Sequence, residues 1–177
     1  LSSIENQKKI LKELNDLSVK ISSGGSAANT AHGLSVLGGK AYYLGRVAND
    51  KYGKYYTEDM QSCGVEFSGI GNELSDTGTC VVLVTPDGER TMLTYLGASS
   101  SLHHGDINEK IIEDSTMVYI EGYLWTGEET RKAAEKLAQI AKINNVPIAF
   151  TLSDAFVVNN FKKQLTSFIL KDVDILF

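Results

Sequence analysis

The chain of 177 residues is poor in cysteine, proline and histidine, with two, two and three of them, respectively. Cys63 and Cys80 lack the C-x-x-C spacing of zinc and redox motifs, and the adjacent His103 and His104 complete no regular ligand array, which argues against a zinc site. No apolar run approaches the about 20 residues that a membrane-spanning helix needs. These absences predict a reduced, cytoplasmic protein without metal-ligating residues.

Positive charge is also scarce. The 17 Lys and Arg residues are outnumbered by 22 Asp and Glu residues, which gives a net charge of −5. This acidic balance disfavours nucleic acid and membrane surfaces as partners. With 42% hydrophobic and 22% charged residues, the composition is that of a globular protein, and the length suits one domain with at most a small appendage.

The hydrophobic pattern alternates between helical and strand-like periods along most of the chain. Helices are predicted at residues 4–17, 51–62, 128–143 and 156–170, with a further helix after the glycine pair at 24–25. Strands are predicted at residues 40–47, 117–122, 146–152 and 173–177. Apolar strands that alternate with helices are typical of a parallel sheet covered on both faces. The sequence therefore predicts a three-layer α/β fold.

The middle of the chain changes to a different pattern. Residues 77–84 and 90–96 are rich in β-branched and apolar side chains, and Thr85-Pro86-Asp87-Gly88 between them is a turn sequence. Proline presets φ, and glycine tolerates a positive φ, so this segment predicts a β-hairpin. We expect residues 65–96 to form a small β element, set off from a core of residues 1–64 and 97–177.

The segment from Ser22 to Gly39, SSGGSAANTAHGLSVLGG, has few large side chains in its first half. It suits a flexible linker or a backbone that a ligand approaches closely. Gly24 and Gly25 leave their backbone N–H groups accessible, and the Asn29 amide both donates and accepts hydrogen bonds. A helix that follows directly favours a polar-ligand or anion site, with tight helix packing as the alternative. The glycine spacing is not the G-x-G-x-x-G of dinucleotide-binding enzymes.

Two acidic residues follow predicted strands, where open α/β sheets bind ligands. Glu121 precedes Tyr123 and Trp125, and a carboxylate beside aromatic rings suits a polyol, although a solvated strand end has the same pattern. Both aromatic residues are candidates for covering a substrate or for the core. Asp154 can approach phosphates or a metal, or cap the following helix.

These motifs together resemble the ribokinase-like family of carbohydrate and nucleoside kinases, also called PfkB. The stretch GGSAANTAHGLSVLGGKAYYLGRVANDKYG is similar to the first family signature, in which Gly45, Asp50 and Gly53 fill a G-x-x-x-x-D-x-x-G pattern. GTCVVLVTPDGERTMLTYLGAS resembles the family's lid hairpin in its adenosine-kinase-like branch. VYIEGYLW, FTLSDAFVV and VDILF resemble later strand ends, so the resemblance covers nearly the whole chain in order.

The resemblance implies transfer of the γ-phosphoryl group of ATP, with Mg²⁺, to a hydroxymethyl group of a sugar or nucleoside. It implies that Gly24, Gly25 and Asn29 bind substrate hydroxyls and that Glu121 matches a substrate-binding residue of ribokinase-type members. It also implies that Arg90, on the hairpin, stabilises the transferring phosphate, a task that suits its permanent charge. A solvated hairpin charge is the alternative for Arg90.

Parts of the family pattern are absent from the sequence. An early Asp is expected before Leu1, and the N-x-x-E and D-T-x-G-A-G-D motifs, including the catalytic base, are expected beyond Phe177. We therefore expect a chain truncated at both ends and inactive alone. The alternative function is a non-catalytic ligand-binding or assembly module on the same scaffold, in which the lid forms a homodimer contact.

Overall fold

The computed structural model describes residues 1–15, 18–67, 69–72 and 75–177. The α-helices in them are α1 (Ile4–Glu13), α2 (Ser26–Val36), α3 (Lys51–Ser62), α4 (Glu109–Glu113), α5 (Glu128–Ile143) and α6 (Ala155–Asp172). The strands are β1 (Ala41–Tyr43), β2 (Arg46–Ala48), β3 (Val65–Phe67), β4 (Ile70–Asn72), β5 (Thr79–Val84), β6 (Arg90–Tyr95), β7 (Val118–Glu121), β8 (Ile148–Thr151) and β9 (Ile175–Leu176). None of the helices described is long and apolar enough to cross a membrane.

The C-terminal half contains a parallel sheet in the order β7–β8–β9, with Val118 opposite Ile148 and Ala149 opposite Ile175. Its core is aromatic: the ring centroid of Trp125 lies 5.2 Å from Phe150 and 4.7 Å from Phe168. Helix α5 buries a face of alanines, and these small side chains allow close packing. The parallel pairing confirms the predicted α/β fold.

In the N-terminal half, strands β1 and β3 pair in parallel, and so do β2 and β4. Helix α2 contributes Ala28 to a smaller core with Met60, Val65 and Phe67. The single strand predicted at residues 40–47 is wrong, because β1 and β2 belong to different pairs. The chain changes partner at Leu44–Gly45, where a Cβ on Gly45 would lie 3.2 Å from the Tyr43 ring.

Strands β5 and β6 form the predicted antiparallel hairpin, with Val82 opposite Met92 and Val84 opposite Arg90. Its turn is closed by a 2.8 Å hydrogen bond from Gly88 N to Thr85 O, and Gly88 has a φ of +86°. Strands β3 and β4 pair with β1 and β2 instead, so only residues 79–95 of the expected 65–96 element are hairpin. The division into core and lid stays a prediction.

Helix α1 packs on this hairpin through a buried glutamine. Gln7 Nε2 donates to Thr79 O at 3.0 Å and to Leu93 O, and Thr79 Oγ1 donates to Gln7 Oε1 at 2.7 Å. Helix α1 ends at Glu13, and positions 16 and 17 of the predicted helix lie outside the described residues. The hairpin therefore has one face joined to the N-terminal helix.

Candidate functional site

The glycine pair forms the turn that begins helix α2. Gly25 is the N-cap, with φ +111° and ψ 140°, a conformation that residues with a side chain rarely adopt. Asn29 N donates to Gly25 O at 2.9 Å, which is the first hydrogen bond of the helix, and the Asn29 side chain is exposed in the first turn. The glycine-rich segment thus leads directly into a helix, as expected for a ligand-approached turn rather than for a linker.

Glu121, the last residue of β7, lies buried beside this turn, with 8% of its surface exposed. Burial raises the pKa of Glu121 above its ordinary value, and the nearby hydroxyls of Ser26 and Tyr119 oppose that rise. The interaction with Ser26 brings Glu121 to the N-terminal end of α2, next to the predicted residues Gly24 and Gly25. Three of the predicted substrate residues therefore meet at one place.

Two buried polar atoms in this region lack a hydrogen-bond partner among the described residues: Glu121 Oε1 and Ser23 Oγ. Buried polar atoms in folded proteins are normally hydrogen-bonded, because an unpaired one keeps its full desolvation penalty. An acceptor oxygen and a hydroxyl of this kind match the donors and acceptors of a polyol. Their position beside the Gly24–Gly25 turn makes this group the candidate ligand site.

Tyr123 and Asp154 are brought together at the ends of β7 and β8. Tyr123 Oη donates to Asp154 Oδ2 at 2.8 Å, and Tyr123 N donates to Ser153 Oγ at 3.1 Å. Asp154 Oδ1 also accepts from Val157 N at 2.9 Å and so caps α6. Hydrogen bonds from the Val157 amide and the Tyr123 hydroxyl lower the pKa of Asp154. Burial and the neighbouring Asp154 carboxylate raise the pKa of Tyr123 to about 12.

These bonds give Asp154 a helix-capping function. Its contact with phosphates or a metal stays a prediction. Tyr123 is 42% exposed and remains available to a ligand. Trp125, in contrast, is 2% exposed and packs against Phe150 and Phe168. It is therefore a core residue, and its interpretation as a cover for the substrate is wrong.

Arg90 lies at the turn end of the hairpin, opposite Val84, and its side chain is exposed. Within the described part of the chain it makes no side-chain hydrogen bond or ion pair. A surface cleft at the start of α3 is lined by ten residues from Val47 to Gly69, and none of the predicted site residues lines it. Among the described residues, no hydrogen bond or ion pair therefore links Arg90 to the other candidates.

The signature residues Asp50 and Gly53 have structural functions. Asp50 accepts from Gly53 N at 2.8 Å, from Thr77 N at 2.8 Å and from Thr77 Oγ1 at 2.7 Å. Thr77 Oγ1 also accepts from Ala48 N at 2.9 Å. A Cβ on Gly53 would lie 2.0 Å from Ala48 O, so only glycine fits there. This network fixes the start of α3 against β2 and the segment that leads into the hairpin.

Sequence reasoning missed Ser23, Ser26 and Tyr119 as neighbours of the site. Ser23 and Ser26 flank the glycine pair, so their position was a usable signal. Tyr119 shares a strand face with Glu121, since side chains alternate along a strand. The alternation of side chains along β7 is enough to place Tyr119 beside Glu121.

Parallel strands with helices, an antiparallel hairpin beside them and a polar group at the strand ends define a ribokinase-like α/β protein. The chain belongs to the pfkB family of carbohydrate kinases, whose family model matches residues 4–177. The family resemblance of the signature and hairpin motifs is therefore confirmed.

Known proteins similar to this chain include two kinds of kinase. The chain is 33% identical over 151 residues to adenosine kinase of Saccharomyces cerevisiae, covering 82% of this chain and 43% of the relative. It is 30% identical over 133 residues to 5-dehydro-2-deoxygluconokinase of Halalkalibacterium halodurans, covering 73% of this chain and 40% of the relative. Its structure superposes on adenosine kinase from Sinorhizobium meliloti with a TM-score of 0.89 and 34% identity, over 100% of this chain and 54% of the other.

These similarities confirm the predicted ribokinase-like fold and the adenosine-kinase-like character of the chain. The chain spans about half of the solved structure and less than half of the two curated relatives. Relatives of this chain thus include an adenosine kinase and a 5-dehydro-2-deoxygluconokinase.

Proposed function

We propose that the protein is an ATP-dependent kinase for a hydroxymethyl group of a sugar or nucleoside, and that this chain forms the acceptor side of its active site. The observation that carries the proposal is the buried Oε1 of Glu121 beside the N-terminal turn of α2, which has no hydrogen-bond partner in the part of the chain that the structure describes. A carboxylate held in this way gains a hydrogen bond when a ligand hydroxyl donates to it. Membership of the pfkB family supports phosphoryl transfer as the reaction.

In this proposal each acceptor group has a distinct chemical task. Glu121 accepts from a ligand hydroxyl, the backbone N–H groups at Gly24 and Gly25 donate to ligand oxygens, and the Asn29 amide does both. Tyr123, held by Asp154, covers an apolar face of the ligand. Because these groups bind the acceptor rather than the nucleotide, their loss weakens acceptor binding selectively.

The proposal includes ATP and Mg²⁺ as co-substrate and cofactor, as in a 23% identical ribokinase-like structure from Escherichia coli in complex with both. The described residues contain no group of three or more His, Cys, Asp or Glu side chains able to hold an ion. Mg²⁺ that is bound with a nucleotide needs only one or two carboxylates beside the phosphates and water, and Asp154 is the candidate for such a contact. This chain therefore accounts for the acceptor, and Arg90 is its candidate for the transferred phosphate. No residue of it is assigned as catalytic base.

The function is tested with full-length protein, by measuring ADP release with a panel of sugars and nucleosides. In the Asn29→Ala variant we expect the KM for the acceptor to rise about 10-fold, with the KM for ATP unchanged, because one bidentate amide is lost. Asn159→Ala, an exposed asparagine of α6, is the matched control and should behave as wild type. Equal effects of Asn29→Ala on both substrates contradict its assigned role.

One observation favours the assembly module as a second candidate. The outer face of the hairpin exposes Val82, Val84 and Met92 to 45, 66 and 63%, an apolar surface that suits a contact between two copies. The same assay separates the two functions. If a member of the panel binds to the protein but no member causes ADP release, the result supports the module and contradicts the kinase.

A further inference from the structure

We propose that Tyr56 is a positioning residue for the acceptor: its hydroxyl orients the Gly24–Gly25 peptide so that the turn presents its N–H group to the ligand. This inference rests on the proposed function and extends it to a residue of α3. Its basis is a 3.1 Å hydrogen bond that Tyr56 Oη donates to Gly24 O. No family motif noted in the sequence includes Tyr56.

The direction of the Gly24 carbonyl decides the direction of the next amide. In a trans peptide the C=O and N–H groups point to opposite sides, so holding Gly24 O towards α3 directs Gly25 N–H away from α3. Two glycines in succession have wide conformational freedom, and no atom of the described residues lies within 4 Å of a Cβ built on Gly24. The hydrogen bond from Tyr56 restricts this freedom and favours one orientation of the peptide.

Tyr56 is well placed to provide a rigid donor. Its ring packs edge-on against Phe67, with centroids 5.5 Å apart, and lies 6.4 Å from the ring of Tyr43. Phe67 belongs to the buried core of the N-terminal half, and Tyr43 and Tyr56 pack against that core. Burial, reinforced by Tyr43, also raises the pKa of the Tyr56 hydroxyl, which keeps it protonated as a donor at neutral pH. The position of the hydroxyl is thus set by packing rather than by solvent.

The neighbouring tyrosine provides a matched control. Tyr55 Oη donates to Ile21 O at 3.3 Å, in the same segment but three residues before Gly24. Tyr55 is 40% exposed and its acceptor Ile21 is 54% exposed, and this bond does not involve the Gly24–Gly25 peptide. Removal of the Tyr55 hydroxyl leaves the Gly24–Gly25 peptide held by Tyr56.

The test compares Tyr56→Phe and Tyr55→Phe in the full-length enzyme, with steady-state kinetics for both substrates and a melting temperature for each variant. We expect Tyr56→Phe to raise the acceptor KM about 3- to 10-fold. Since the bond to Gly24 serves binding equally in the ground and transition states, kcat and the KM for ATP should not change. Tyr55→Phe should leave all three constants at wild-type values.

A lower melting temperature with an unchanged acceptor KM means that Tyr56 has only a structural function, and this overturns the inference. Should wild-type protein phosphorylate no acceptor, the proposed function fails, and amide hydrogen exchange then tests Tyr56 separately. Faster exchange at residues 24–28 in Tyr56→Phe than in Tyr55→Phe supports its control of the turn. Equal exchange in the two variants contradicts it.

Discussion

At the scale of single residues, the charged form of Glu121 favours ligand binding but lowers the stability of the ligand-free protein. Its carboxylate is buried, one of its oxygens has no hydrogen-bond partner among the described residues, and burial raises its pKa. A raised carboxyl pKa means that the charged form destabilises the folded state. The penalty is full above the folded pKa, shrinks as pH falls from there, and is gone below the unfolded pKa. A ligand that donates to Oε1 compensates this penalty.

We therefore predict that Glu121→Gln stabilises the ligand-free protein by about 1 kcal/mol at pH 7, which raises the melting temperature by about 2–4 °C. The same variant should bind the acceptor more weakly, because it loses the charge-assisted hydrogen bond. Differential scanning calorimetry and acceptor titration measure the two effects. Glu66→Gln, on an exposed residue of β3, should change neither, and a lower melting temperature for Glu121→Gln contradicts the prediction.

The residues of the candidate site differ in how far the sequence predicted them. Gly24, Gly25 and Glu121 could be identified because a glycine pair and an acidic residue at the end of a strand are recognisable from the sequence alone. Tyr56 was not, since its partner Gly24 lies 32 residues away along the chain. A tyrosine on an amphipathic helix has the same pattern whether it packs, faces solvent or holds a distant carbonyl.

At the scale of elements, the Asp50–Thr77 network connects α3 to the segment before the hairpin. Thr77 is 5% exposed, and its hydroxyl both donates to Asp50 Oδ1 and accepts from Ala48 N. In Thr77→Val the shape is kept, but both partners lose a buried hydrogen bond. We predict a loss of about 1–3 kcal/mol in the free energy of unfolding, measured by urea denaturation.

The control for this prediction is Thr91→Val on β6, where the threonine is exposed. That variant should stay within about 0.5 kcal/mol of wild type. If the two valine variants are equally stable, the Thr77 hydroxyl contributes nothing and the network is held by the bonds of Asp50 to the backbone amides of Gly53 and residue 77.

Elements with local signals were predicted well, and those defined by distant partners were not. Helix α3 begins after the Asp50 cap and α5 ends before Asn144-Asn145, so both have the predicted bounds. The split between β1 and β2 depends on pairing with residues 65–67 and 70–72, which no local pattern shows. The short helix α4 and the 3₁₀ turns around residues 97–106 also lack a hydrophobic period long enough to detect.

At the scale of the whole molecule, a few polar contacts tie distant segments together. Gln7 holds the hairpin to α1, and Asp50 holds the segment before the hairpin to α3. Arg46 on β2 makes two 2.7 Å hydrogen bonds to Asp106, 60 residues away. Because two of these contacts use carboxylates, the stability of the molecule depends on their remaining ionised.

The sign of that dependence follows from the pKa shifts of the two carboxylates. Burial alone would raise the pKa of Asp106 and of Asp50, but hydrogen bonds from Arg46 and from Thr77 and Gly53, respectively, outweigh it and hold both below their ordinary value. A lowered carboxyl pKa contributes stability that is fully present above the unfolded pKa, about 3.9 for Asp. It is lost as pH falls through the folded pKa. We therefore predict a steep loss of unfolding free energy below about pH 4.

The Asp106→Asn variant isolates one of the two contributions. At pH 7 it leaves the Arg46 guanidinium, 15% exposed, without its charge partner, and we expect a loss of about 3 kcal/mol in unfolding free energy. As pH falls below about 4, the unfolded wild-type chain binds a proton at Asp106 while the lowered pKa keeps the folded carboxylate ionised, so wild type loses stability and the difference between the two proteins should narrow. Urea denaturation from pH 7 to pH 3 measures this difference.

The control is Asp114→Asn, which removes an exposed ion pair with Lys110. This variant should differ little from wild type at every pH, because exposed ion pairs contribute little. A difference between Asp106→Asn and wild type that stays constant down to pH 3 would show that the Arg46–Asp106 contact stabilises the fold by packing and not by charge.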